Sequence, residues 1–324
     1  MLISERPGFA VSGSDSTMMT RIKTTANAAQ LALTLTTPIT HKTEVGDGPT
    51  RDERLANAHA VLARGLAGVR DDPAAMAAFL QFRSCFRDYS LNNSILIWMQ
   101  RPTARHCMGF KAWTKHGRRV RRGERGLTVF APVLAKPTAA DIAAGTDPDK
   151  KTVVGYRTAT TFDYEQTEAV TDGALVYSPP SPRLCADDPV GLVARLEHVA
   201  LFSLGYRVSY VDTGYADGMC QTVIKWITVQ QRLSPADRAS VLAHEICHAL
   251  AHAGDTTTSR AQKELQAEGA AYVVLAALGL DTARASLPYL RGWSGGSDEA
   301  LTAELAAIDS IARDLLDRIK ATAA

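Results

Sequence analysis

Cysteine, long apolar runs and net charge are all scarce in this sequence. The five cysteines are scattered, odd in number and never separated by only two residues, so a disulfide framework is not expected. No apolar run approaches the ~20 residues of a membrane span, and the start of the chain lacks the features of a secretory signal. We therefore expect a cytoplasmic protein without a membrane partner.

The net charge of +2 indicates no class of partner, but the distribution of charge does. Between Arg101 and Arg125 the chain carries nine lysines and arginines against one acid, Glu124. Such a local excess of positive charge is typical of a surface that binds a polyanion.

A chain of 324 residues exceeds the usual size of a single core, so two domains are expected. We predict a disordered leader over residues 1–53, a first domain over 54–168, a proline-rich linker over 169–189 and a second domain over 190–324. Strands are predicted at 127–130, 152–162, 206–212 and 221–229. The predicted fold class is α+β, with N-terminal helices and a small antiparallel sheet followed by a mixed helix-and-sheet domain.

A helix is predicted to begin at Ser234-Pro235, because serine caps a helix and proline suits its first position. The helix continues to about residue 252 and contains an HExxH motif. His244 and His248 are four residues apart, so both imidazoles project from one face and can hold a single zinc ion. Glu245 lies beside them and is the predicted general base towards a water molecule.

A catalytic zinc site needs a third protein ligand. His252 is excluded, because three histidines on successive turns are spread along ~12 Å of helix and cannot converge on one ion. The metzincin pattern is excluded as well, since Gly254 stands where its third histidine would be. Glu268 in the next helix is the predicted third ligand, in the gluzincin arrangement. Glu264 is the alternative, with the other glutamate supporting a ligating imidazole.

The basic segment combines cations for phosphates, aromatic rings for stacking, and amides for base edges or sugars. This combination suits single-stranded nucleic acid, although a solvated basic turn with core tryptophans is an equally good interpretation of composition alone. The predicted DNA-binding residues are Asn92, Asn93, Arg101, Lys111, Trp113, Arg118, Arg119, Arg121, Arg122 and Arg125.

Several blocks resemble the ArdC-type antirestriction proteins. In the first domain these are 90–102, with Ser-x-x-Asn and Gln-x-Pro, then 109–113, with Gly-Phe-x-x-Trp, and 117–126, with Gly-Arg-x-Val-x-x-Gly-Glu-x-Gly. In the second domain they are the HExxH helix, the Glu268 helix and the segment 289–293. One departure is Lys263, which stands where relatives often have glutamate.

The resemblance implies a single-stranded-DNA-binding domain fused to a zinc metallopeptidase domain of the gluzincin type. It further implies that the protein protects incoming plasmid or phage DNA from restriction, with an unidentified protein as peptidase substrate. Two alternatives stay open: a non-catalytic protection factor with a structural zinc site, and a regulatory protease that cleaves a DNA-bound repressor.

Overall fold

The computed structural model describes residues 49–86, 88–138, 142, 145, 147, 149–170, 189–214, 216–280 and 297–322. Most of the predicted leader and linker, and the 289–293 segment, lie outside the described residues. The first helix begins at Arg51, slightly before the predicted domain start at 54.

The described residues form two compact units. The N-terminal unit contains residues 49–65 and 92–170, and the C-terminal unit contains residues 66–91 together with the described residues from 189 onwards. The predicted boundaries at 54–168 and 190–324 stay a prediction, because residues 66–91 are grouped with the later part of the chain.

Helices and strands alternate irregularly along the chain, as the predicted α+β class requires. In chain order the helices are α1 (Arg51–Asp71), α2 (Pro73–Arg83), α3 (Leu91–Gln100), α4 (Phe110–Lys115), α5 (Pro189–His198), α6 (Pro235–Ala251), α7 (Arg260–Ala277) and α8 (Asp298–Ala321). The strands are β1 (Cys107–Met108), β2 (Arg118–Val120), β3 (Leu127–Ala135), β4 (Thr152–Asp163), β5 (Thr167–Ala169), β6 (Arg207–Val211), β7 (Gly218–Gln221) and β8 (Trp226–Gln230). A 3-10 turn (Tyr164–Gln166) precedes β5, and a π-helical turn (Val199–Ser203) follows α5.

The N-terminal unit contains the predicted small antiparallel sheet. Its strand order is β1-β4-β3, and β2 pairs separately with β5, all antiparallel. One face of this sheet is buried where the three strands meet: Leu127 of β3 pairs with Thr161 of β4, and Asp163 of β4 pairs with Cys107 of β1. The alternate residues point to the opposite face and remain partly exposed, because side chains alternate along a strand.

Side-chain amides of α3 hold the free edge of β3. Asn93 donates to the carbonyl of Phe130 at 2.9 Å and accepts from its N–H at 2.8 Å. Gln100 makes the same pair of bonds with Thr128, at 2.9 and 2.8 Å. Each amide therefore makes the hydrogen bonds that a neighbouring strand would make. The backbone N–H and carbonyl groups of Thr128 and Phe130 have partners although no strand pairs with this edge of β3.

The described residues of the C-terminal unit form a mixed sheet, the end of α1, and helices α2, α5, α6, α7 and α8. Strand β8 lies between β6, to which it is parallel, and β7, to which it is antiparallel. The single strand predicted over 221–229 is therefore two short strands joined by a turn, in which Lys225 adopts a positive φ of 51°. The predicted strand over 206–212 corresponds to β6.

Helix α6 begins as the sequence predicts. The Ser234 hydroxyl accepts a hydrogen bond from the N–H of Asp237, and Pro235 occupies the first helical position. Helix α7 begins with a capping box formed by Ser259 and Gln262. Its neighbour α8 approaches closely at Gly269, where an added Cβ would lie 2.7 Å from a side-chain carbon of Ile308. A side chain at position 269 would therefore force Ile308 to shift at this helix crossing.

A partly buried ion pair joins α2 to α8. The Arg83 guanidinium is 2% exposed and lies 2.8 Å from the carboxylate of Asp309. Arg83 also donates to the carbonyl of Tyr89 at 3.0 Å. This contact attaches residues 66–91 to the end of the chain within the same unit.

Within the described part of the chain, no helix combines the length and the apolar character needed to cross a bilayer. The cytoplasmic location stays a prediction. The four cysteines that the structure describes are free thiols.

Replacing Asp309 with alanine is expected to destabilise the C-terminal unit by about 3 kcal/mol, because it leaves the buried Arg83 charge without its carboxylate. Asp314→Ala is the matched control on the same helix. It removes an ion pair with Arg318 whose side chains are 32% and 47% exposed, and is expected to cost less than about 0.5 kcal/mol. Urea unfolding followed by circular dichroism measures both, and equal losses would contradict the assignment.

Candidate metal centre and nucleic-acid interface

Helix α6 brings the two motif histidines together. His244 and His248 lie one turn apart on its buried face, each 1% exposed, and their Nε2 atoms are 3.1 Å apart. The spacing follows from the helical repeat, which stacks residues i and i+4. The structure thus confirms the predicted helix and the shared face.

The carboxylate that faces both imidazoles comes from Glu264 on α7. Its Oε2 atom lies 3.5 Å from Nε2 of His244 and 3.7 Å from Nε2 of His248. Tetrahedral coordination with bonds of about 2.0–2.2 Å separates neighbouring ligand atoms by about 3.3–3.6 Å. The three residues therefore form a group that could hold a divalent metal ion.

Glu268, the predicted third ligand, lies on the other side of His244. Its Oε2 atom is 3.0 Å from Nδ1 of His244, the nitrogen that faces away from His248. The carboxylate accepts here, so Nδ1 carries a hydrogen, and in the neutral imidazole that a metal ion requires Nε2 presents its lone pair. Glu264 therefore faces the candidate metal position, and Glu268 orients His244 from behind, so the predicted ligand role of Glu268 stays a prediction with Glu264 as the alternative.

A second hydrogen-bond chain orients His248 in the same way. Nδ1 of His248 lies 2.9 Å from Nδ1 of His252, and Nε2 of His252 lies 3.0 Å from Oε1 of Gln266. The Gln266 amide in turn donates to Glu304 of α8 at 2.7 Å.

The acceptors in this chain determine each hydrogen position. Glu304 accepts from the amide nitrogen of Gln266, so the amide oxygen faces His252 and accepts from its Nε2. Nδ1 of His252 is then the acceptor for Nδ1–H of His248, whose Nε2 presents a lone pair towards Nε2 of His244. The sequence analysis set His252 aside as a ligand and gave no indication of this hydrogen-bonding role beyond its spacing.

The pKa values reflect a buried cluster in which negative charge is in excess. Burial lowers the pKa of His244, but the adjacent carboxylates of Glu264 and Glu268 outweigh this and raise it to about 9. Burial lowers the pKa of His248 to about 4, against partial compensation from Glu264. Burial also raises the pKa of Glu264, yet the two imidazoles overcome this and hold it well below its usual range. An ionised carboxylate beside two imidazoles is the charge arrangement that favours a cation.

Glu245, the predicted general base, is 1% exposed and lies next to β7. A Cβ added at Gly218 would lie 2.7 Å from Oε1 of Glu245 and 2.5 Å from a side-chain carbon of Val241. The missing side chain at Gly218 therefore leaves the space that the Glu245 carboxylate occupies. Lys263, the departure noted in the sequence, contacts the Asp255 carbonyl and lies 3.6 Å from its carboxylate.

Two of the predicted DNA-binding side chains are buried in the N-terminal unit. The Trp113 ring is fully buried and its indole N–H donates to the carbonyl of Phe162 at 2.9 Å. Arg118 donates to Thr167 and lies 4.0 Å above the Tyr164 ring. Because both side chains are enclosed, Trp113 presents no stacking surface and Arg118 no exposed charge.

Four more of the predicted residues have partners within the fold. Asn93 holds the edge of β3, and three arginines form ion pairs. These pairs are Arg101 with Glu165 at 3.3 Å, Arg119 with Glu168 at 2.7 Å and Arg121 with Glu124 at 3.0 Å.

The remaining predicted residues are exposed. They are Asn92, Lys111, Arg122 and Arg125. Across the described residues, no ion pair involves the three cations among them. The positive charge of the basic segment is therefore concentrated on fewer side chains than composition indicates.

Replacing His252 with alanine is expected to weaken metal binding by about 10- to 100-fold, because His248 loses the acceptor that sets its tautomer. His198→Ala is the control, since His198 is exposed on α5 in the same unit. Isothermal titration with Zn²⁺ measures the affinity, and thermal unfolding of the metal-free variants separates misfolding from weakened binding. Unchanged affinity in a folded His252→Ala protein would refute the role.

Comparisons with known proteins match two separate regions of the chain. Residues 62–163 match the model of the N-terminal domain of anti-restriction factor ArdC. Residues 203–278 match the IrrE N-terminal-like domain, a peptidase M78 model. The second match contains all of α6 and α7, and hence the motif histidines and both glutamates.

One curated relative and one solved structure extend the comparison. An uncharacterized pXO2 protein of Bacillus anthracis is 25% identical over 257 residues, and the chain spans only 44% of its length while 69% of the chain is covered. The Mn(II)-bound structure of the antirestriction ArdC protein from plasmid R388 is 16% identical, with a TM-score of 0.50, covering 81% of this chain and 97% of that one. The likeness to that structure concerns the fold. The chain therefore contains a region that matches the N-terminal domain of anti-restriction factor ArdC, followed by a region that matches an IrrE-like domain of the peptidase M78 type.

Proposed function

We propose that the protein is an antirestriction factor whose N-terminal unit binds single-stranded DNA and whose C-terminal unit is a zinc-dependent peptidase. The observation that carries the second half is the convergence of two imidazole Nε2 atoms and one carboxylate oxygen, with Glu245 beside them. The first half is supported by the ArdC domain match and by the exposed cations of the basic segment. Protection of incoming DNA from restriction is proposed from the same match.

The proposed metal ligands are His244, His248 and Glu264. Both carboxylate oxygens of Glu264 are buried without a hydrogen-bond partner among the described residues. An ionised carboxylate is costly to bury in this way, and a cation placed between it and the two imidazoles would compensate that cost. The residues present therefore fit a metal ion.

Zinc is the proposed metal because two histidines and one glutamate are a common ligand set of catalytic zinc in peptidases. The R388 relative was crystallised with Mn(II), so tests of metal identity should compare both ions. Glu268 is proposed to stabilise His244 from behind instead of coordinating the metal.

Glu245 is the proposed acid–base residue. A zinc ion at this site would polarise the scissile carbonyl and make water a better nucleophile near neutral pH. Glu245 takes the proton from the attacking water and passes it to the leaving amine. The buried position of Glu245 against β7 restricts the carboxylate to one side of the site, which keeps it available for that transfer.

The two glutamates of α7 are expected to respond differently to substitution. Glu264→Ala removes a ligand and should reduce metal content to a small fraction of the wild-type value. Glu268→Ala leaves all three ligands and should retain metal with an affinity lowered by about 10- to 100-fold. Elemental analysis after dialysis, with competition by a chelator, measures both. Metal lost from Glu268→Ala but retained in Glu264→Ala would restore the original prediction of Glu268 as ligand.

Glu245→Gln is expected to keep its metal but lower peptide hydrolysis by at least about 100-fold, because the variant cannot accept the proton. Hydrolysis can be followed on a mixture of unfolded polypeptides by counting new N-termini with mass spectrometry. Elemental analysis of the same samples is the control. Undiminished cleavage by the metal-loaded variant would rule Glu245 out as the base.

The same variant separates two roles of the C-terminal unit. If Glu245→Gln still protects DNA fully from a restriction enzyme in a purified reaction, protection depends on binding alone, as a non-catalytic factor would require. If protection is lost although DNA binding is intact, cleavage is part of protection.

A further inference from the structure

The partly exposed face of the N-terminal sheet carries an aromatic row. Tyr156 and Phe162 have the same parity on β4, and Phe130 of β3 pairs with Thr158, which lies between them on that face. Phe110, at the start of α4, reaches the same face beside Phe162. We call these four side chains the aromatic face.

Ring contacts connect the members of the aromatic face in two pairs. The centroids of Phe110 and Phe162 are 6.3 Å apart, and those of Phe130 and Tyr156 are 6.5 Å apart, both edge to face. Tyr156 and Phe162 are six residues apart on β4, a distance of about 20 Å along the strand. Phe110 and Tyr156, one in each pair, are both 56% exposed.

Phe110 and Tyr156 remain exposed on this face, while His59 of α1 lies against Phe130 with the ring centroids 4.8 Å apart. The opposite face is buried near Leu127, Val129 and Thr161, and the edge of β3 is occupied by the amides of Asn93 and Gln100. A Cβ added at Gly126 would lie 2.0 Å from Thr160 and 3.1 Å from the Phe162 ring. Gly126 is thus needed where the basic segment meets the face.

Cations lie at the Phe162 end of the aromatic face. Lys111 follows Phe110 directly, and Arg125 precedes Gly126 directly. Both are exposed, and within the described ranges neither forms an ion pair. Between Tyr156 and Phe162, the β4 residues on the same face are Thr158 and Thr160, which offer hydroxyls instead of an aliphatic surface.

We propose that the aromatic face is the platform on which unpaired bases of single-stranded DNA stack, with Lys111 and Arg125 neutralising adjacent phosphates. The inference rests on the proposed function of the N-terminal unit and assigns the stacking role to Phe110 and Tyr156 in place of the buried Trp113. Exposed rings beside cations are the combination that single strands require. A duplex hides the faces of its bases within the stack and offers no ring to these side chains. An aliphatic protein partner would meet hydroxyls and charge.

The test measures binding of a fluorescent oligothymidine and of a duplex of equal length by anisotropy, using the full chain. Phe110→Ala and Tyr156→Ala should each weaken single-strand binding by roughly 5- to 150-fold. Phe110→Trp and Tyr156→Phe keep a ring and should retain most of the affinity. Val170→Ala is the control, because Val170 is a 50% exposed apolar residue that follows β5, outside this sheet.

Two further arms distinguish stacking from charge. An abasic strand has the same phosphates without bases, so the wild type and Phe110→Ala should bind it equally. Lys111→Ala and Arg125→Ala should each reduce the slope of log affinity against log salt by about 0.7, whereas the aromatic variants should leave that slope unchanged.

The outcomes separate this inference from the proposed function. Absence of single-strand binding by the wild type would overturn the DNA-binding function itself. Wild-type binding that Phe110→Ala and Tyr156→Ala both retain at the Val170→Ala level would overturn the aromatic face alone. A weakening in both variants that persists with the abasic strand would show that the rings stabilise the fold or bind something other than bases.

Discussion

The C-terminal unit depends on the burial of ionisable groups between α6, α7 and α8. His244, Glu245, His248 and Glu268 are each 1% exposed, and His252 is 4% exposed. Burying polar groups is unfavourable unless hydrogen bonds or opposite charges replace water. This requirement explains why α7 places Gln262 and Gln266 towards α8, where both amides donate to Glu304. Gly269 is consistent with the same requirement, since it permits the approach of α8 that brings Glu304 within reach.

The N-terminal unit satisfies its polar groups in a comparable way, but with backbone as the partner. Asn93 and Gln100 each donate to and accept from one residue of β3. Asp163 accepts from two consecutive backbone N–H groups, those of Arg105 and His106, at 2.9 and 3.1 Å. Residues that composition alone assigns to nucleic acid thus hold strands and loops in place. The exposed cations and rings that remain are those available to a ligand.

The sequence predicted the elements whose signals are local. Ser234-Pro235 identified the start of α6, and the i,i+4 spacing placed both motif histidines on one face. The same reasoning failed for Trp113 and Arg118, because a ring or guanidinium suits a core contact and a nucleic-acid contact equally well. The choice between those environments depends on whether the chain folds back over the side chain, as the carbonyl of Phe162 does for Trp113. Such long-range contacts have no local signature.

The choice between Glu264 and Glu268 as metal ligand also depends on long-range contacts that the local sequence does not indicate. Glu264 and Glu268 are four residues apart and share one face of α7. Which carboxylate lies near Nε2 of His244 and which lies near Nδ1 depends on how far α7 is shifted along α6. The sequence alone does not give that shift.

The resulting site is asymmetric. His244 has an anionic partner behind it and a pKa raised to about 9, whereas His248 has a neutral imidazole behind it and a pKa lowered to about 4. A carboxylate partner makes an imidazole a more basic ligand, so His244 should donate more strongly to a bound metal. The neighbours of His248 instead orient its ring, through a chain of hydrogen bonds that runs from Glu304 through Gln266 and His252.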